Sequence, residues 1–252
     1  MKKSLKKVLA FTLILAMFVP FFSVCSYSAN IKANTSTDIV FFFGKEKTYS
    51  FKSEKDGIYR IKSSAPKKFI GTIFELFNFK RSDPAVVIEY SKIDKTLFDK
   101  TITDKCTYSK GKSEYTSNFD AYIYLNKGET YSFKFRNDQK GGFLGAFSVD
   151  IAYQGEYAFI EFTPPTKKSY KTSDSGISYN EAEQVYSVEA LNLSGLNATV
   201  YFDDDSYITF NANEFISNSD GYFIPRTFEI GTNTVYFFLF DEYSEIDMTL
   251  KK

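Results

Sequence analysis

Two acidic clusters are the residues whose types and spacing come nearest to chemistry. Asp203, Asp204 and Asp205 are consecutive, and Asp241, Glu242, Glu245 and Asp247 follow one another closely near the end of the chain. Three adjacent carboxylates could hold a hard cation such as calcium, but neighbours on a turn point in different directions. Calcium loops alternate their ligands, bend at a Gly and add a distant bidentate Glu. Between Phe202 and Tyr207 the Asp run reads instead as a strand-to-strand turn, where Asp bonds its own backbone. The second cluster reads as a solvated loop, with glycoside hydrolysis by a carboxylate pair as the competing chemistry. No catalytic residue, metal ligand or cofactor-binding residue is assigned, and no cofactor is expected.

The rest of the inventory narrows the choice. The chain has no histidine, which removes Ser-His-Asp and Cys-His nucleophiles, His-ligated zinc and the commonest general base. Tyr122 and Tyr124 are the candidate ligand-binding residues. If Ala121, Ile123 and Leu125 face a core, these two tyrosines face outward, and flat rings beside polar groups can stack on sugars or grip peptides. The competing reading is that they make cross-strand pairs or lie beneath a loop. The lack of Trp weighs against a sugar platform.

Those tyrosines depend on the best-specified stretch of the chain, residues 121–136, AYIYLNKGETYSFKFR. Two alternating runs flank Asn126-Lys127-Gly128-Glu129, a pattern that predicts a hairpin with one face buried and Gly128 at the positive-φ position of its loop. Tyr131, Phe133 and Phe135 point to the core, with Ser132, Lys134 and Arg136 opposite. A second hairpin is predicted over residues 48–63. Its Thr48-Tyr49-Ser50-Phe51-Lys52 echoes Thr130-Tyr131-Ser132-Phe133-Lys134, as two strands leaving similar turns would.

Residues 1–28 carry Lys2, Lys3, Lys6 and Lys7, a long apolar run and small residues at Ser26 and Ser28, the pattern of a cleaved signal peptide. An uncleaved anchor and lipidation at Cys25 are the alternatives, and Val24 fits a lipobox poorly. Cleavage removes four lysines and no acid, leaving 27 basic against 31 acidic residues, a net charge of −4. That offers no attraction to nucleic acid or to an anionic membrane. Only Cys106 remains after cleavage, so no intramolecular disulfide is possible and the core alone must supply stability. This is common in exported proteins of Gram-positive cells. With 28 Phe and 19 Tyr and few helical periods, the composition favours sheet.

Along the chain, strands are expected at residues 39–43, 85–90, 96–103, 146–153 and 157–162, with a lysine-rich loop at 105–118 and room for a short helix at 74–80. Residues 163–176, TPPTKKSYKTSDSG, bury almost nothing and read as an interdomain linker. Beyond them about six strands are predicted, at the close spacing of a small sandwich. The chain is thus expected to be all-β: two antiparallel β-sandwich units, residues 34–162 and 177–252, joined by the 163–176 linker after the 1–28 signal peptide.

Leu125-Asn-Lys-Gly128-Glu-Thr-Tyr131, with the 147–151 strand and the 48–61 stretch, resembles the turn of bacterial pre-peptidase C-terminal-type sandwiches. Some members of that family bind calcium through acids ahead of the first strand. Only Asp38 stands there, so no metal site is carried over. Residues 230–235 followed by an apolar strand and Asp241 are similar to bacterial immunoglobulin-like surface domains. Both resemblances imply accessory or adhesive roles rather than chemistry. The expectation is an exported, non-enzymatic binding module, secreted or at the cell surface, whose ligand is an extracellular glycan or protein. A carboxylate-dependent hydrolase and a structural cell-envelope component are the alternatives.

Overall fold

The alternating runs become strands, but the turn between them does something other than predicted. The structure is a computed structural model that describes residues 29–42, 46–64, 84–94, 100–109, 118–137, 144–188, 191–217, 219, 221–224 and 227–252. The expected signal peptide and the 74–80 helix lie outside the described residues. In β7 (Asp120–Leu125) and β8 (Thr130–Asn137), Ala121, Ile123 and Leu125, and then Tyr131, Phe133 and Phe135, are buried as expected. These two strands do not pair with each other. β7 pairs with β4 (Gly57–Ser64), whereas β8 pairs with β3 (Glu46–Lys52) and β5 (Pro84–Asp94).

The predicted hairpin is therefore an arch that carries the chain from one sheet to the other across the core. The predicted 48–63 hairpin is a second arch of the same kind, since β3 and β4 also lie in different sheets. Alternation requires each strand to bury one face, and two strands on opposite sides of one core satisfy it as well as two neighbours do. The arches hold each other: Gly128 N–H donates to Ser53 O at 2.8 Å and Ser53 N–H to Glu129 O at 3.0 Å. Gly128 takes φ 83° there, a conformation that costs glycine nothing.

The echo between residues 48–52 and 130–134 lies on adjacent strands, with Tyr49 opposite Phe133 and Phe51 opposite Tyr131. One sheet runs β3-β8-β5-β6, with β6 at Lys100–Ser109, so the expected loop at 105–118 starts as strand. The other runs β2-β9-β4-β7, with β2 at Ser36–Phe42 and β9 at Leu144–Gly155. β1 is the short Ala29–Asn30. Between the two sheets lies a core rich in aromatic contacts. Phe51 stacks on Phe133 at 5.5 Å, and Phe119, Phe135 and Phe147 meet one another at 6.3 Å.

A second core collects the C-terminal half. β10 (Tyr157–Thr163) was expected to close the first unit, yet it pairs with β14 (Asn197–Phe202), which pairs with β15 (Tyr207–Asn211). β11 (Ser169–Lys171) runs parallel to β19 (Glu242–Lys251), and the sheet continues through β18 (Gly231–Leu239) to β16 (Tyr222–Ile224). β12 (Ile177–Asn180), β13 (Val185–Val188) and β17 (Thr227–Phe228) form a third small sheet. The helix α1 (Ala212–Ser217) opens on a cap. Asn211 Oδ1 accepts the Asn213 and Glu214 N–H groups, and Glu214 Oε2 accepts the Asn211 side-chain amide at 2.7 Å.

The stretch predicted as a linker is folded. Pro165 is buried, Tyr170 is 3% exposed in the second core, and Lys167 pairs with Asp174 at 2.7 Å. Residues 31–252 form one compact unit with two cores. Ile58, from a first-half strand, belongs to the second core, so the halves share packed surface.

Candidate functional site

The tyrosines singled out by the sequence do point away from the first core, but into the second. Tyr122 meets Phe210 edge-on at 5.3 Å, while Tyr124 lies 5.7 Å from Tyr157 and 6.5 Å from Phe240. Arg60, held by Asp120, stands over the Tyr122 ring at 5.4 Å. Burial, then the Asp241 carboxylate, pushes the Tyr124 phenol up to about 12. Both residues are half-buried where the two halves pack. Outward of one sheet is here inward to its neighbour, so the expected exposed pair is a packing contact.

The acidic clusters are dispersed over turns and sheet surfaces. Asp203–Asp205 occupy the β14–β15 turn, closed by the Asp205 N–H to Phe202 O and the Phe202 N–H to Ser206 O. Asp204 accepts the Ser206 N–H at 3.0 Å, and the Ser206 hydroxyl bond, the larger influence, helps hold its carboxyl below the usual range. Asp241 accepts the Tyr157 hydroxyl, and Asp247 that of Thr234. Among the described residues no group of three His, Cys, Asp or Glu is placed to hold a metal ion. Cys106 stands opposite Ile88 in the β5–β6 pair.

More exposed rings lie elsewhere, Tyr179 on β12 among them at 52%. β10, β14 and β15 turn Ile160, Val200, Ile208, Ala198 and Phe210 toward the second core, which fixes the phase of the opposite face. On that outer face Phe159, Tyr201 and Tyr207 are cross-strand partners in one row. Phe159 stacks on Tyr201 at 4.6 Å with the planes 20° apart, and Tyr207 lies 6.0 Å beyond, tilted by 44°. Phe159 remains 54% exposed and Tyr207 65%, so the stack is a ridge whose two flanks are bare.

The next rows toward the far end of the strands are polar. Glu161, Thr199 and Thr209 align, with the threonine hydroxyls 3.1 Å apart, and Glu161 accepts the Tyr201 hydroxyl at 3.2 Å. Thr163, Asn197 and Asn211 form the last row. There the sheet opens onto a groove of about 710 Å³, lined by Asn192, Ser194, Asn197, Asn211 and Asn213 among others. A comparable aromatic row crosses the other large sheet of this half at Tyr222, Phe238 and Tyr243. Its central ring is only 4% exposed and its edge ring Tyr243 36%, so it bares less ring surface than the first row.

No family model and no curated protein matches the chain. Solved structures similar to it include the pre-peptidase C-terminal domain of a collagenase from Bacillus anthracis, at 11% identity and a TM-score of 0.31. That match covers 50% of this chain and 94% of that one. Another is a protein from Sulfurospirillum deleyianum, at 16% identity and 0.25, covering 47% of this chain and 98% of that one. Likenesses of this size do not bear on function. The immunoglobulin-like resemblance of the second half gains no support from these comparisons, whereas the collagenase domain bears the family name of the resemblance stated for the first half.

Proposed function

We propose that the chain is an exported, non-enzymatic binding module that takes its extracellular ligand on the outer face of the β10-β14-β15 sheet. One observation carries the reading: Phe159, Tyr201 and Tyr207 stand in register across three strands, with the outer two more than half exposed. Exposed rings backed by a rigid sheet provide apolar contact at small entropic cost, as binding surfaces require. The groove at the far end of the same sheet is lined by amides, hydroxyls and apolar groups without a carboxylate, which suits holding a ligand better than hydrolysing one. Asp204, Asp241 and Asp247 are engaged with Ser206, Tyr157 and Thr234, which favours binding over a reaction at these clusters.

Arrays of glycans and of extracellular proteins probed with residues 29–252 test the reading. A hit should weaken strongly when Phe159, Tyr201 and Tyr207 are replaced together by Thr. Undiminished binding by that folded triple variant would overturn it.

A further inference from the structure

We infer that the ligand is a linear, uncharged polysaccharide that lies along β15 from Tyr207 to the asparagine-lined groove, an inference that rests on the binding reading above. The outward positions of β15 are Tyr207, Thr209 and Asn211, all exposed. They descend from the bare flank of the aromatic ridge, past the threonine pair, to the mouth of the groove. At about 3.3 Å per residue the track from Tyr207 to Asn211 is roughly 13 Å long, the length of a short oligosaccharide. The groove extends it through Asn213 and Ser194.

Each step matches a part of a sugar chain. A pyranose ring has one face of C–H groups, which suits the free side of Tyr207, and a rim of hydroxyls, which need partners that both donate and accept. Threonine hydroxyls and asparagine amides do both; Asn211, whose Oδ1 accepts the Asn213 and Glu214 N–H groups, contributes as a donor. A peptide laid on the same face would instead need apolar pockets at alternate positions, whereas from the ridge to the groove mouth the outward rows offer hydroxyls, amides and the Glu161 carboxylate. Charge narrows the class further. None of the nine outward positions of the three strands is basic, Glu161 is acidic, and Asp203 to Asp205 border the ridge. Uronic-acid or sulfated chains and nucleic acids would meet like charge there.

The test uses residues 29–252 in gels containing xylan, glucomannan, mixed-linkage β-glucan, polygalacturonate or hyaluronan. Calorimetry then follows with mono- to hexasaccharides of whichever polymer retards migration. At least one neutral polymer should retard the protein and neither anionic one should. Affinity should climb with chain length until the track is filled, then level. Tyr207→Ala should weaken every length about two- to tenfold. Asn197→Ala, at the groove mouth, should reduce the gain on lengthening while sparing the shortest ligand. Circular dichroism confirms that both variants fold.

Preference for an anionic polymer, affinity independent of length, or binding of no neutral polymer would each overturn this inference. In the last case, a protein ligand lost on Tyr207→Ala would leave the binding reading standing. A neutral polymer bound equally by the parent, Tyr207→Ala and the triple Thr variant would overturn both.

Discussion

Phe240 supplies a sharp test of how the halves are joined. It is the first residue of the two-residue turn between β18 and β19, and its φ of 56° is left-handed. A Cβ makes that conformation costly, by roughly 1–2 kcal/mol. Phe240 is nevertheless only 8% exposed, stacked on Tyr157 at 6.2 Å and edge-on to Phe210 at 6.4 Å, with Tyr124 alongside. Burial of the ring among three aromatic neighbours outweighs the backbone strain.

Two truncations separate these terms. Phe240→Ala should lose about 3–5 kcal/mol for the buried ring and keep the strain. Phe240→Gly should lose the same ring but shed the strain of roughly 1–2 kcal/mol, while its freer unfolded chain takes back about 0.5–1 kcal/mol. The difference leaves the Gly variant more stable than the Ala variant by about 0.5–1 kcal/mol, the reverse of the usual order in a strand. Urea unfolding followed by circular dichroism measures it, and thermal melts should separate the variants by a few degrees, given about 2–4 °C per kcal/mol for a chain this long. An Ala variant as stable as the Gly variant would refute the left-handed turn. A loss below about 1 kcal/mol in both would refute the buried ring.

Other expectations follow from the same contacts. Phe133→Ala, at a fully buried position, should cost about 3–5 kcal/mol. Tyr124→Ala, half-buried at the junction, should cost roughly 1–2 kcal/mol, so chemical denaturation of the pair checks both the core face and the shared packing. Limited trypsinolysis should spare Lys167 and Lys171 around the buried Tyr170, while a Glu-specific protease should cut first at Glu181 or Glu183 in the fully exposed β12–β13 turn. The raised Tyr124 phenol favours the neutral form in the folded state. Its stabilisation is therefore complete below the ordinary value of 10.0 and is lost as pH rises toward about 12. In that window Tyr124→Phe should flatten the fall of stability with pH, and an unchanged slope would place Tyr124 in solvent.

Alternation in residues 121–136 told which side of each strand is buried, and burial followed it residue by residue. It could not tell that Asn126–Glu129 spans two sheets, because a four-residue link serves an arch as readily as a hairpin. Residues 163–176 are held more closely than their polarity suggests, for a related reason. Polarity averaged over the stretch hid Tyr170, whose hydroxyl donates to Lys167 O at 3.3 Å and accepts the Asn192 N–H at 3.2 Å. One ring so fixed binds an otherwise polar segment to the core. The α1 cap is readable as Asn211-x-x-Glu214 in the sequence, but a six-residue helix is too short to show an apolar period behind it.

The aromatic ridge was half legible. Glu161 and Thr163 mark the outward phase of β10, Asn197 and Thr199 that of β14, and Thr209 and Asn211 that of β15, so each strand alone places its ring on the solvent side. What no strand shows is the register that brings the three rings together. That register also makes the ridge hard to explain as stabilisation alone. Among the described residues β10 and β15 each have one strand partner, and open edges are ordinarily blunted by Lys, Pro or a bulge. β10 has a register shift between Tyr157 and Phe159 but neither Lys nor Pro, and β15 has none of the three. Thr–Thr pairs such as Thr199–Thr209 stabilise a neighbouring row without exposing apolar surface. A sheet selected only to fold and stay soluble would gain by carrying them in the ring row too. The bare flanks of Phe159 and Tyr207 are a liability in the free protein, and a ligand that covers them gives that liability a use.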